Sequence, residues 1–220
     1  MAKKTLWEML QGKIAGPVEL QITNPLKLKV GNSVRINDID LVDLNFNVKR
    51  IMEYKRTIKG DDYFFTDYDL VAYPLGREEV KVRLRLNPMD LPDKAAGLTH
   101  NVVLLKLYDE MGYDEGLFKV VTDTTKLFEV NQDGVCAERY YRINDVQDSY
   151  KPSVTVVEEG HKDLDDVKKV NLEYWDYWRQ TKDEGGTDYN QFLFIEMNKD
   201  DGWFQMWRGQ EIDPQDVSVY

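Results

Sequence analysis

From Val80 to Leu86 apolar and basic residues alternate without a break. Val80, Val82, Leu84 and Leu86 share one side; Lys81, Arg83 and Arg85 share the other. A period of two predicts a strand with one buried face and one wet face. The same rhythm predicts strands at 27–30, 34–36 and 63–73, with a longer one through Phe46, Val48, Ile51 and Tyr54. In that longer strand the apolar phase slips between Val48 and Ile51, the mark of a bulge. Val102 to Tyr108 is an apolar run broken only by Lys106, read as a buried strand with a helix as the alternative. Two later segments, Glu129–Asp148 and Glu196–Asp216, each hold a short strand, an Asp-Gly turn, a second strand and an Asp-rich exit. Asp-Gly between apolar alternations predicts hairpins, because glycine supplies the positive φ of a tight turn. Val154–Val157 and the long aromatic stretch Val170–Arg179 complete the strands.

Helical spacing occurs twice. Leu6, Trp7, Leu10 and Ile14 predict an amphipathic helix over 3–14, stopped by Gly12 and Gly16-Pro17. Asp114 is placed to cap a short helix running to about Thr124. Asp62, Tyr63, Gly76, Pro88 and Asp90 recur at one constant offset as Asp188, Tyr189, Gly202, Pro214 and Asp216. That echo suggests duplication, although the inward and outward phases disagree at Leu70 against Glu196. The expected architecture is mainly β (α+β). An N-terminal arm (1–16) is followed by two similar antiparallel halves, 17–92 and 93–220, with a Pro- and Gly-bearing linker over 87–97.

Chemistry enters at Tyr174, Trp175, Asp176, Tyr177, Trp178 and Arg179. Alternation puts Trp175 and Tyr177 on one face and Tyr174 and Trp178 on the other. Either both faces are covered, or one aromatic face is offered to a partner. Trp203 and Trp207, on the neighbouring hairpin, would extend such a patch. Trp175, Tyr177, Trp203 and Trp207 are therefore the partner-binding candidates, since aromatic side chains dominate binding hot spots. Self-association through the same patch is a variant. The rival reading is an enzyme or sugar-binding protein using carboxylates such as Asp176 and Glu196 beside the aromatic platform.

Composition narrows the classes. Forty acidic residues against 29 basic ones give a formal charge of −11, which disfavours nucleic acid and anionic membranes. A single cysteine, Cys136, excludes an internal disulfide and agrees with a reducing compartment. His100 and His161 are the only histidines, too few for a zinc site without carboxylates. The acidic run Asp163, Asp165, Asp166 lacks calcium-loop spacing. No phosphate loop, dinucleotide fingerprint or nucleophile elbow occurs, so neither catalytic residue nor cofactor is assigned. No apolar stretch is long enough to span a membrane. The expected location is cytoplasmic; peripheral contact with the inner membrane would run through the 3–14 helix, with Lys3, Lys4 and Lys13 as its basic rim.

The Tyr174–Arg179 strand, with Phe194-Ile195-Glu196, Gly202-Trp203-Phe204 and the early Leu28–Val30, Gly31 and Val34 segment, resembles the YjfK-like family of β-rich bacterial proteins. The family has no established activity, and the resemblance carries over no catalytic residues. It implies genomic company with relatives of phage-shock membrane-stress proteins, and so a role at a protein complex or at the inner membrane surface. The functional expectation is a non-enzymatic interaction module.

Overall fold

A computed structural model describes residues 26, 28–38, 40–58, 61–93, 98–122, 127–132, 135–143, 153–158, 168–183 and 185–220. The strands are β1 (Ser33–Ile36), β2 (Phe46–Ile58), β3 (Asp61–Ala72), β4 (Val80–Asp93), β5 (Leu98–Gly112), β6 (Leu127–Gln132), β7 (Val135–Arg142), β8 (Ser153–Glu158), β9 (Lys168–Lys182), β10 (Asp188–Asn198), β11 (Trp203–Ile212) and β12 (Val217–Val219). One helix, α1 (Glu115–Thr122), and a 3-10 turn at Pro214–Asp216 complete the described elements. The predicted helix over 3–14 lies outside the described residues. No described helix is long and apolar enough to cross a membrane.

All strand pairs are antiparallel. The hydrogen-bonded path runs β12-β1-β2-β3-β4-β5-β11-β10-β9-β7-β6 and is open at both ends. β8 stands off this path and pairs with both β2 and β9. Pairing therefore returns on itself through β2, β3, β4, β5, β11, β10, β9 and β8, an eight-stranded barrel. β1 with β12 extends as a wing from β2, and β7 with β6 from β9. The expected bulge appears as a register shift between Val48 and Arg50.

The ring gives its strands an inner and an outer face, and both are covered. Outside β2–β5, Val48, Tyr68, Leu70, Val82, Leu84 and Leu104 are sealed by Leu26, Leu28, Val34, Ile36 and Leu41. Outside β9–β11, Trp175, Tyr177, Leu193, Ile195, Phe204 and Met206 are sealed by α1 and the β6–β7 hairpin through Val121, Phe128 and Tyr140. Each fully buried aliphatic or aromatic side chain contributes about 1.5–3 kcal/mol. Asp114 Oδ1 accepts the Leu117 N–H at 2.6 Å and fixes the start of α1. Asp201-Gly202 turns β10 into β11 with Gly202 at φ +68°, as the Asp-Gly signal predicts.

Two expectations change. The wet face assigned to Arg83 and Arg85 is the inside of the ring, where they are 0% and 1% exposed. The proposed linker over 87–97 includes paired strand: Asn87 faces Asn101, Pro88 faces His100 and Asp93 faces Leu98. β5 then joins β4 to β11, so the sheet runs across the expected boundary. The meanders β2–β3–β4 and β9–β10–β11 travel around the ring in opposite senses. No rotation that keeps the inner face inward superimposes them, which agrees with Leu70 lying outside and Glu196 inside.

Candidate functional site

The inner wall carries a charged network built by strand register. Asp67 and Asp69 on β3 lie opposite Arg85 and Arg83 on β4. Arg85 Nε and Nη2 donate to the two oxygens of Asp67 at 2.7 and 2.6 Å. Arg83 Nε donates to Asp69 Oδ1 at 2.6 Å, and its Nη1 crosses the barrel to Glu196 Oε1 on β10 at 2.8 Å. Tyr54 on β2 donates to the same Glu196 oxygen at 3.0 Å. Arg85 Nη1 donates to the Tyr174 hydroxyl on β9. These bonds link opposite walls across an interior whose inner face also carries Met52, Val103, Leu105, Val154, Val156 and Leu172.

Aromatic rings line the same space. The Arg85 guanidinium lies 4.2 Å from the Phe194 ring centroid and 4.5 Å from that of Phe65. The Arg83 guanidinium lies 4.1 Å from the Trp207 ring centroid. Such stacking is stronger where water is excluded. Burial pushes the Asp67 carboxyl above its usual range; Arg85 and Arg83 pull it back only in part. Burial also works to raise Asp69, but Arg83 and Arg50 outweigh it and hold that carboxyl low. Burial drives the Tyr54 phenol well above its ordinary value, helped by Glu196 and Asp67, so it remains a donor. Burial opposes the Arg83 charge, yet Asp69 and Glu196 outweigh it and keep the guanidinium firmly protonated.

One end of the barrel opens next to this network. A cavity of about 350 Å³ is lined there by Lys49, Arg50, Asp69, Lys81, Gln205 and Trp207, among others. Arg50 donates to Asp69 Oδ2 through Nε at 2.8 Å and Nη2 at 2.5 Å, so Asp69 is clamped between two guanidinium groups. Three buried atoms here lack a hydrogen-bond partner among the described residues: Arg83 Nη2, Trp207 Nε1 and Gln205 Oε1. A larger recess of about 620 Å³, bordered by Leu41, Glu78, Glu79 and Lys106, touches none of the network.

The aromatic candidates are redistributed. Trp175 and Tyr177 are each 1% exposed and belong to the outer layer, against Phe118 and Phe128. Trp207 is 2% exposed and belongs to the inner wall. Trp203 is half-buried where β11 begins. The four therefore form no common surface, because covering both faces of the sheet leaves no aromatic face free at these positions. Among the rings that do reach solvent, Tyr141 and Trp178 are paired in register with each other and lie beside Leu127. Of the rival acids, Glu196 sits in the network and Asp176 is buried on the same inner face, opposite Phe194.

Arg83, Arg85, Asp67, Asp69, Tyr54 and Arg50 were not among the sequence candidates. A signal for four of them exists: Asp67-x-Asp69 and Arg83-x-Arg85 sit in adjacent strands at positions that an antiparallel ladder brings face to face. Among the described residues no cluster of His, Cys, Asp and Glu could hold a metal ion. Comparison with protein-family models, with curated proteins and with solved structures finds no match.

Proposed function

We propose that this protein is a small-molecule-binding barrel that takes its ligand into the mouth beside Arg50, Asp69, Gln205 and Trp207. The observation that carries this reading is the sealed Arg83–Asp67–Arg85–Glu196 network behind the cavity. Buried ion networks are a poor source of stability; apolar residues of equal volume are often neutral or better by about 1–4 kcal/mol. Aliphatic side chains such as Met52, Val154, Val156 and Leu172 fill part of this interior, and the charges are gathered between them and the mouth. The barrel thus holds fixed dipoles and charges against an opening, which is how binding sites orient a bound molecule.

The test uses two dyes, anionic 1-anilinonaphthalene-8-sulfonate and neutral Nile red, titrated against the wild type and Val71→Phe. Val71 lines the cavity and is partly exposed, so the added bulk occupies the opening without touching the network. Saturable binding of either dye that Val71→Phe abolishes, with unfolding unchanged, supports the reading. Binding that is absent, or indifferent to Val71→Phe, refutes it.

A second reading keeps an interaction module but moves its surface to Leu127, Tyr141 and Trp178. Their exposure in one cross-strand row favours it. Sedimentation velocity of the wild type against Tyr141→Asp and Trp178→Asp tests self-association there.

A further inference from the structure

We infer that the ligand taken at this mouth is a small organic anion, a carboxylate or sulfonate carried on a flat apolar body; the inference rests on the ligand-binding reading above. The argument begins with charge. The chain has 40 acidic and 29 basic residues. Among the charged residues lining the cavity the balance is reversed: Lys49, Arg50 and Lys81 against Asp69 alone. Asp69 is already bonded to Arg50 and Arg83, so its charge is offset from within the wall. Among the described residues Lys81 is paired with Glu79 at 3.1 Å, with the two side chains 37% and 44% exposed. A surface pair of that kind is worth at most about 1 kcal/mol, so Lys81 can exchange Glu79 for an incoming anion at little cost. A cationic opening on an acidic molecule concentrates anions locally and repels them elsewhere, which steers them to one place.

The second part of the argument is shape and polarity. Trp207 and Val71 give the cavity its apolar walls. Behind Trp207 lies Arg83, fully buried, with Nη2 unpartnered among the described residues. Its charge is answered by Asp69 and Glu196, and its stacking 4.1 Å from the ring centroid holds the indole that floors the cavity in a fixed orientation. Inorganic phosphate satisfies the charge but leaves the apolar walls wet; a neutral ring does the reverse. A conjugated or aromatic anion satisfies both.

The experiment displaces bound 1-anilinonaphthalene-8-sulfonate from the full chain with benzoate, benzyl alcohol or inorganic phosphate. It is repeated on Lys81→Gln and Lys49→Gln, both at the rim. The expected result is displacement by benzoate, much weaker displacement by benzyl alcohol and by phosphate, and dye affinity lowered about fivefold by Lys81→Gln. Benzyl alcohol matching benzoate, or both lysine variants binding as the wild type does, overturns the anionic class while leaving the ligand-binding reading intact. Phosphate matching benzoate overturns the flat apolar body. Neither dye binding saturably in a manner sensitive to Val71→Phe is the separate failure of the underlying reading, and the inference falls with it.

Discussion

Arg85→Met isolates the cost of the interior charges. Methionine approaches the volume of arginine and keeps apolar contact with Phe65 and Phe194, now 4.5 and 4.2 Å from the guanidinium. It removes both donors to Asp67, which is 0% exposed and is then left with Arg83 Nη1 at 3.3 Å. Breaking a buried pair from one side costs about 3–5 kcal/mol. In a domain of this size each kcal/mol lowers Tm by about 2–4 °C, so a drop of about 6–20 °C is expected. Urea unfolding followed by far-UV circular dichroism, at pH 7 and pH 5, gives the free energy directly. The pH arm has a definite sign. Asp67 already titrates above its ordinary range, and losing Arg85 moves it further up. A carboxyl raised in the folded state favours that state at low pH, and the benefit is lost as pH rises through the folded value. The deficit must therefore shrink at pH 5. Arg85→Met/Asp67→Leu, which removes both charges, recovers most of it. A deficit below about 1 kcal/mol at pH 7, or one unchanged between the two pH values, would refute the sealed interior.

Other outcomes follow from separate features. Asp69→Asn loses about 1.5–3 kcal/mol at neutral pH, because it weakens bonds to two guanidinium groups. Asp69 is held below its usual 3.8, so its contribution is present above that value and is lost as pH falls through the lowered one; wild type and variant converge in acid unfolding. Gly209→Ala sets a Cβ 1.8 Å from the Leu104 carbonyl oxygen and forces β11 away from β5, costing at least about 1–3 kcal/mol, measurable by thermal melting. Asp114→Ala removes the cap of α1 and loses about 0.5–2 kcal/mol in urea unfolding.

The strands were legible because alternation is a local property. The Val48–Ile51 slip, the Asp201-Gly202 turn and the Asp114 cap each depend on residues near in sequence, and each stands where expected. Facing was not legible. Alternation at Val80–Leu86 separates Arg83 and Arg85 from the aliphatic side but cannot say which side is inside. Ordinary prejudice places arginine in water. It becomes tolerable inside only because Asp67, and Glu196 more than a hundred positions away, arrive as partners. The aromatic strand failed for the same reason. Trp175 and Tyr177 are covered by α1 and the β6–β7 hairpin, elements whose docking no pattern within 174–179 encodes.

The strand that completes the ring is six residues long; one neighbour, β9, follows it directly in sequence, while the other, β2, belongs to the first meander. It can zip onto both only after two distant meanders have been gathered side by side, a step burdened by a large loop-closure entropy. Closure should thus come late in folding, and the same seam should part first, admitting solvent protons to the backbone of β8 before any other barrel strand.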